Sequence, residues 1–373
     1  MPLSVPSIND LDTSQRKVVE HTPYDAAIVV TGPPGSGKTS IAVLRSQVLL
    51  SNGFTNMLVI LYNHSMYGFL RTIFSRMNLI NNLRIETKDS YFWTLAYRLG
   101  LNLFNTYDSY EVKYRKVLDY LLERPINTSY SVIMIDESQD FSQKEIQILR
   151  KMSKNIIAVG DYDQSIYSTD LSPVVFAGIN SYRLETIYRF GKIIAKIAQP
   201  FAQSYNSLED MVVTTSNTQA YRVECRDNAT EKISQILSNK LNADTTTAII
   251  SPFKEKLVKL KSALASYGHS TFYADLNKEL RNYNFDSRTP LLISSFSAKG
   301  MEFDCVILYG FDGERIKSSM GDKINELLFV SITRTSNELY IIDEPSTIDK
   351  LKQLEGVVPM GDNASNRNDL TDF

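Results

Sequence analysis

The sequence predicts an α/β protein of two domains, each built on a parallel sheet with helices on both faces. Three observations predict it. Short apolar runs alternate with amphipathic stretches along most of the 373 residues. The stretch GPPGSGKT at 32–39 joins an apolar run to a helical one. Asp136 and Glu137 directly follow a second apolar run, VIMI, at 132–135.

The elements of the first domain, expected over residues 1–180, can be justified in order. Residues 1–10 carry two prolines and read as an exposed leader. A short helix is expected over 13–20, capped by Thr13 or Asp12. Strands are expected at 26–31, 57–62, 132–136 and 156–160, where β-favouring apolar residues cluster. Helices are expected at 38–51, 65–76, 89–99, 110–123 and 142–151. Buried parallel strands separated by helices imply crossover connections.

A second domain is expected over 181–360. Its helices fall at 190–204, 229–239, 254–267 and 324–332, and its strands at 221–225, 247–251, 291–295, 304–309 and 339–342. Residues 361–373, rich in Asn and Asp, read as a frayed tail.

The first chemical signal is the loop at 32–39. Gly32, Gly35 and Gly37 permit a close, bent backbone path around phosphates, with Ser36 between them. The helix that follows presents free amides to an anion. Lys38 is expected to reach the β- and γ-phosphates of ATP, and the Thr39 hydroxyl to take a position on Mg²⁺. Asp136, at the end of its strand, is the expected carboxylate on that metal, and Glu137 is placed to polarise water. This combination predicts an ATPase.

Composition narrows the class. A net charge of −2 gives little long-range attraction to nucleic acid, although a local basic groove is compatible with it. Two cysteines, Cys225 and Cys305, and three histidines without ligand spacing make a structural zinc an unsuitable reading. The start has no signal-peptide pattern, and no apolar run approaches the length of a membrane span. An intracellular protein is expected, cytoplasmic if the source is prokaryotic.

Further motifs occur in a fixed order: LDTSQRKVV at 11–19, LVILYNHS at 58–65, IDESQD at 135–140, VGDYDQSIY at 159–167, LETIYRF at 184–190, SAKGMEF at 297–303 and VSITRTSNELYI at 330–341. With the phosphate loop, this set resembles superfamily 1 DNA helicases of the UvrD/Rep type, and the resemblance spans nearly the whole chain. It implies two RecA-like P-loop NTPase domains and movement along single-stranded nucleic acid, with DNA favoured over RNA. It implies that Gln15 reads adenine, Tyr188 stacks on it and Glu302 lies near the ribose. Gln164, Arg189 and Arg334 would meet the γ-phosphate, the arginines from across the interdomain cleft. Asn63 and His64 align with a strand-contacting segment, and Tyr91, Phe92 and Trp93 fall near another. Phe92 and Trp93 either stack bases or pack their helix onto its sheet.

Departures from the family pattern touch strand contact more than catalysis. STDLS follows QSIY where an aromatic residue and arginine are usual, so Thr169 and Asp170 remove a base-stacking platform. Ile187 stands for the usual Asn. Phe296 stands for the usual His and either stacks a base or packs internally. About 35 residues separate the 89–99 helix from Asp136, and about 100 separate Arg189 from SAKG, too few for the large inserted domains of bigger relatives. A minimal motor is implied, with a protein partner expected to supply strand separation or target choice. The alternative is an ATP-driven switch or remodeller in a larger complex. A binding protein without hydrolysis fits less well with the intact ATP motifs.

Overall fold

The computed structural model describes residues 5–62, 64–103, 107–161, 179–202, 205–213, 218–241, 245–273, 280, 283–284 and 287–360. The chain divides into two compact units, Pro2–Glu185 and Thr186–Phe373. Every pairing between named strands is parallel, so the fold is α/β with two RecA-like sheets flanked by helices. Asn63, Gln164, Thr169, Asp170 and the tail at 361–373 lie outside the described residues.

In the first unit the strands are β1 (Ile28–Thr31), β2 (Met57–Leu61), β3 (Leu83–Thr87), β4 (Val132–Ile135), β5 (Ile156–Gly160) and β6 (Asn180–Arg183), in sheet order β3-β2-β4-β5-β1-β6. The helices are α1 (Thr13–Arg16), α2 (Lys38–Ser51), α3 (His64–Arg76), α4 (Lys88–Arg98), α5 (Tyr110–Glu123) and α6 (Gln143–Met152). Alternation divides the buried strand residues between two faces. Val29, Leu58, Ile60, Ile133, Ile135, Ile156 and Ala158 share one core with α4, α5 and α6. Met134 points the other way, where the Ser46 hydroxyl of α2 meets its sulfur at 3.7 Å.

The second unit has β7 (Gln219–Glu224), β8 (Thr247–Ser251), β9 (Phe272–Tyr273), β10 (Leu291–Ser294), β11 (Phe303–Leu308), β12 (Thr335–Asp343) and β13 (Val358–Met360), in order β13-β7-β12-β11-β8-β10-β9. Its helices are α7 (Lys192–Ala198), α8 (Ala229–Leu241), α9 (Lys254–Ser266), α10 (Gly313–Met320), α11 (Ile324–Ile332) and α12 (Asp349–Lys352). Ile233, Ile236 and Leu237 of α8, with Leu257, Leu260 and Leu264 of α9, pack on Ile249, Leu292 and Ile307. No helix among the described residues is long and apolar enough to cross a membrane.

Several elements differ from expectation for local reasons. The helix expected over 13–20 is α1 running into a π turn at Lys17–His21, with Asp12 as its cap. The helix expected over 190–204 stops at Ala198, because Pro200 supplies no N–H and the chain tightens into a 3-10 turn at Gln199–Phe201. Residues 180–183 pair with β1, so the expected division after residue 180 falls inside β6. β3, β6, β9 and β13 lie at or next to sheet edges, where mixed or polar sequence suffices.

A buried ion pair ties α4 to α6. Glu145 is 1% exposed, and Lys88 Nζ lies 3.1 Å from its Oε1. The Tyr114 hydroxyl donates to the same carboxylate at 2.6 Å, as does the Ser142 backbone N–H that starts α6. Lys88 also donates to the Asp140 carbonyl at 2.9 Å. Glu145→Ala removes the carboxylate and leaves the Lys88 charge in a poorly hydrated site. It should destabilise the protein by about 3 kcal/mol in urea unfolding, and Lys88→Met in the same chain should recover part of the loss.

Candidate nucleotide site

Because the first sheet is parallel, the carboxyl ends of β1, β5 and β4 lie side by side on one edge. The phosphate loop leaves β1, Asp136 leaves β4, and Gly160–Asp161 leave β5. Gly37 caps α2 with a left-handed backbone at φ 85°, which a side chain would disfavour, and its carbonyl accepts the first helical N–H from Ile41 at 2.9 Å. The first turn of α2 thus starts beyond the reach of any earlier helical carbonyl, an arrangement that favours an anion there.

The loop is held from several sides. Ser36 is fully buried, and its hydroxyl donates to the Pro33 carbonyl at 2.8 Å. The buried Gln15 amide donates to the Ser36 carbonyl at 3.0 Å and accepts the Asp12 N–H at 3.2 Å. Gln15 is thus a strut of the loop as well as the residue expected at adenine. Lys38 Nζ donates to the carbonyls of Gly32 and Pro33, both at 2.8 Å.

Thr39 and Asp136 come together from positions 97 residues apart: the Thr39 hydroxyl donates to Asp136 Oδ1 at 3.0 Å. Asp136 is 2% exposed, and its Oδ2 has no hydrogen-bond partner. A buried, unanswered carboxylate oxygen beside a hydroxyl fits a divalent cation that takes its other ligands from phosphate and water. Among the described residues no cluster of three or more acidic, His or Cys side chains could hold a metal alone. Burial, and then the neighbouring Glu137 charge, push the Asp136 carboxyl up to about 7. Glu137 has a left-handed backbone at φ 53°, which costs a non-glycine residue about 1–2 kcal/mol.

The second unit gathers three further expected residues. Arg189 Nε donates to Glu302 Oε2 at 2.7 Å, and its NH1 donates to the Thr333 carbonyl at 3.2 Å. Arg334 is 1% exposed; it donates to the carbonyls of Val330 and Met301 at 2.9 and 3.1 Å, and to the Thr333 hydroxyl at 3.1 Å. Thr333, which the sequence reading did not single out, is the crosspiece between the two guanidinium groups. Its only advance signal was its place immediately before Arg334. Tyr188 is exposed.

Of the described residues expected at nucleic acid, His64, Phe92 and Trp93 belong to the first unit and Phe296 to the second. His64 opens α3 and is half-buried. Phe92 is fully buried in the first core, edge-on to Tyr91 at 5.8 Å, so it packs its helix. Trp93 is half-buried, 6.3 Å from the Tyr110 ring. Phe296 is half-buried just beyond β10.

Comparison with known proteins adds the following. The profile of a family described as an AAA domain matches residues 15–170, less than half of the chain. The chain is similar to the C-terminal domain of a possible DNA helicase from Lactobacillus plantarum WCFS1, at 19% identity over 46% of this chain and 98% of that one, with a TM-score of 0.37. It is also similar to the PRRSV helicase, at 14% identity over 92% of this chain and 55% of that one, with a TM-score of 0.45. Arterivirus nonstructural protein 10 (helicase) in complex with DNA gives 14% identity over 91% and 65%, with a TM-score of 0.43. The chain thus spans less than two thirds of these viral chains. Likeness at this level fixes no activity. No curated protein matches.

The raised Asp136 carboxyl sets a pH dependence. A folded-state value near 7, above the ordinary 3.8, means that folding favours the protonated acid. That stability is present below about pH 4 and is lost as pH rises through about 7. Asp136→Asn escapes the loss. In EDTA the variant should melt above the parent protein at pH 8, with the gap closing toward pH 4. Added Mg²⁺ should narrow the gap at pH 8 by stabilising the parent.

Proposed function

We propose that this chain is a Mg²⁺-dependent ATPase of the UvrD/Rep helicase type that steps along single-stranded nucleic acid, DNA in preference to RNA. The observation that carries the reading is the Thr39–Asp136 hydrogen bond at 3.0 Å, beside the first turn of α2 and the unanswered Asp136 Oδ2. The ordered motifs between 11 and 341 support the same assignment.

Roles follow from chemistry. Thr39 and Asp136 would hold Mg²⁺, which neutralises charge on the phosphates. Lys38 exchanges its two carbonyls for phosphate oxygens. Glu137 orients and polarises the attacking water. Gln15 and Tyr188 engage adenine, and Glu302 lies by the ribose. Gln164, Arg189 and Arg334 are assigned to the γ-phosphoryl group, whose growing charge planar guanidinium groups suit.

A second reading, an ATP-driven switch with little intrinsic unwinding, draws on the plainness of the scaffold. Among the described residues α5 is the one helix between α4 and β4, and the stretch from Arg189 to Ser297 is used for α7–α9 and β7–β10. Strand separation would then fall to a partner protein.

Turnover assays with and without single-stranded DNA or RNA test the proposal. Lys38→Ala should remove most hydrolysis and weaken ATP binding. Glu137→Gln should lower turnover about a hundredfold while sparing binding. Arg189→Ala should lower turnover more than strand binding. Unchanged hydrolysis in both Lys38→Ala and Glu137→Gln would refute the ATPase. Hydrolysis indifferent to both nucleic acids at low salt would favour the switch. Translocation on a labelled single strand, alongside poor unwinding of a tailed duplex, is the expected pattern.

A further inference from the structure

Gln139 sits where the Asp136–Glu137 pair meets the end of β5, and it is 1% exposed. Its Nε2 donates to Glu137 Oε2 at 2.5 Å. Its Oε1 accepts the backbone N–H of Asp161 at 3.0 Å. Both ends of one amide are used, one on a carboxylate and one on the backbone leaving β5.

The surroundings are shaped for that amide. A Cβ on Gly160 would stand 2.4 Å from Gln139 Oε1 and 2.6 Å from Ser138 Oγ. Only glycine at 160 leaves the space. On the other side, the left-handed backbone of Glu137 is the strained conformation from which its carboxylate meets the Gln139 donor. An amide is the side chain that can give a hydrogen bond to an acid while taking one from an N–H. A glutamate here would set acid against acid, and a hydrocarbon would withdraw both bonds in a buried place.

We infer that Gln139 is a positioning residue for hydrolysis: it fixes the direction of the Glu137 carboxylate and ties it to the backbone at Asp161. This rests on the ATPase reading proposed above. Gln139 need not touch nucleotide; it acts through Glu137. The signature is a loss in kcat with KM preserved, and non-additivity with any change at Glu137.

The test is a double-mutant cycle on the full chain, read as single-turnover ATP hydrolysis with Mg²⁺. Gln139→Met removes both bonds, and Gln139→Glu keeps only the acceptor for Asp161. Gly160→Ala displaces the amide without altering it. Each is made with Glu137 intact and with Glu137→Gln. Melting curves and binding of a fluorescent ATP analogue identify folded variants, and any one folded variant of the three decides the question. With Glu137 intact, kcat should fall about tenfold while KM stays within about twofold. In the Glu137→Gln background the same changes should alter the rate less than about twofold. An unchanged kcat, or a full tenfold further loss in that background, overturns the inference while leaving the ATPase intact. If Glu137→Gln alone hydrolyses ATP like the parent chain, the ATPase reading itself is lost, and the inference with it.

Discussion

Parallel pairing in the first sheet is the constraint on which the candidate site depends. It sends β1, β4 and β5 out at the same edge, so three segments distant in sequence meet without any dedicated scaffold. The core enforces the arrangement. Alternating residues of each strand are buried on opposite faces, so a one-residue slip would turn one face's apolar set to the other. The Thr39–Asp136 contact is thus a consequence of strand register. The same edge also explains why a carboxylate can be buried with one oxygen unanswered: the backbone around it is already committed to the sheet.

The second unit solves a different problem. Permanent positive charges cannot be left bare in a half-buried place, so each guanidinium has partners within its own unit. Arg189 uses a carboxylate and a carbonyl; Arg334 uses carbonyls and a hydroxyl. The two sets differ in kind. Arg189 pairs with the Glu302 carboxylate, whereas Arg334 donates to the carbonyls of Val330 and Met301 and to the Thr333 hydroxyl. Releasing Arg189 would therefore leave the Glu302 carboxylate without that partner, a cost set by a formal charge.

How much of this was legible in the sequence varies with the kind of signal. The central strands β1, β2, β4, β5, β8, β10 and β11 are short runs of apolar residues between helices, and their burial on both faces is why composition alone found them. β6, with the sequence NSYR, was hidden because an edge strand needs no apolar run. The loop at 32–39 and Asp136 stood out because a phosphate-and-metal reading restricts residue type at fixed spacing, and the structure does bring Thr39 to Asp136. Gln139 and Thr333 lie inside the ordered motifs, yet their contacts depend on backbone geometry: a left-handed Glu137 and a carbonyl turned toward Arg189. The ambiguity over Phe92 was one of helix phase, and the α4 core settles it.

Lys38 carries a consequence of its own. Its ammonium donates to two carbonyl oxygens of its own loop, so on the ATPase reading a polyphosphate would exchange existing bonds for its own and gain the difference. A charged oxygen outcompetes a neutral carbonyl by a margin that grows with its charge. On that reading the loop would act as a threshold detector for charge density. An adenosine without phosphates offers nothing that would draw the lysine from its rest, and a single phosphate offers less than a chain of three. Discrimination by phosphate number would then come from the carbonyls that Lys38 must leave, ahead of any contact with the base or sugar.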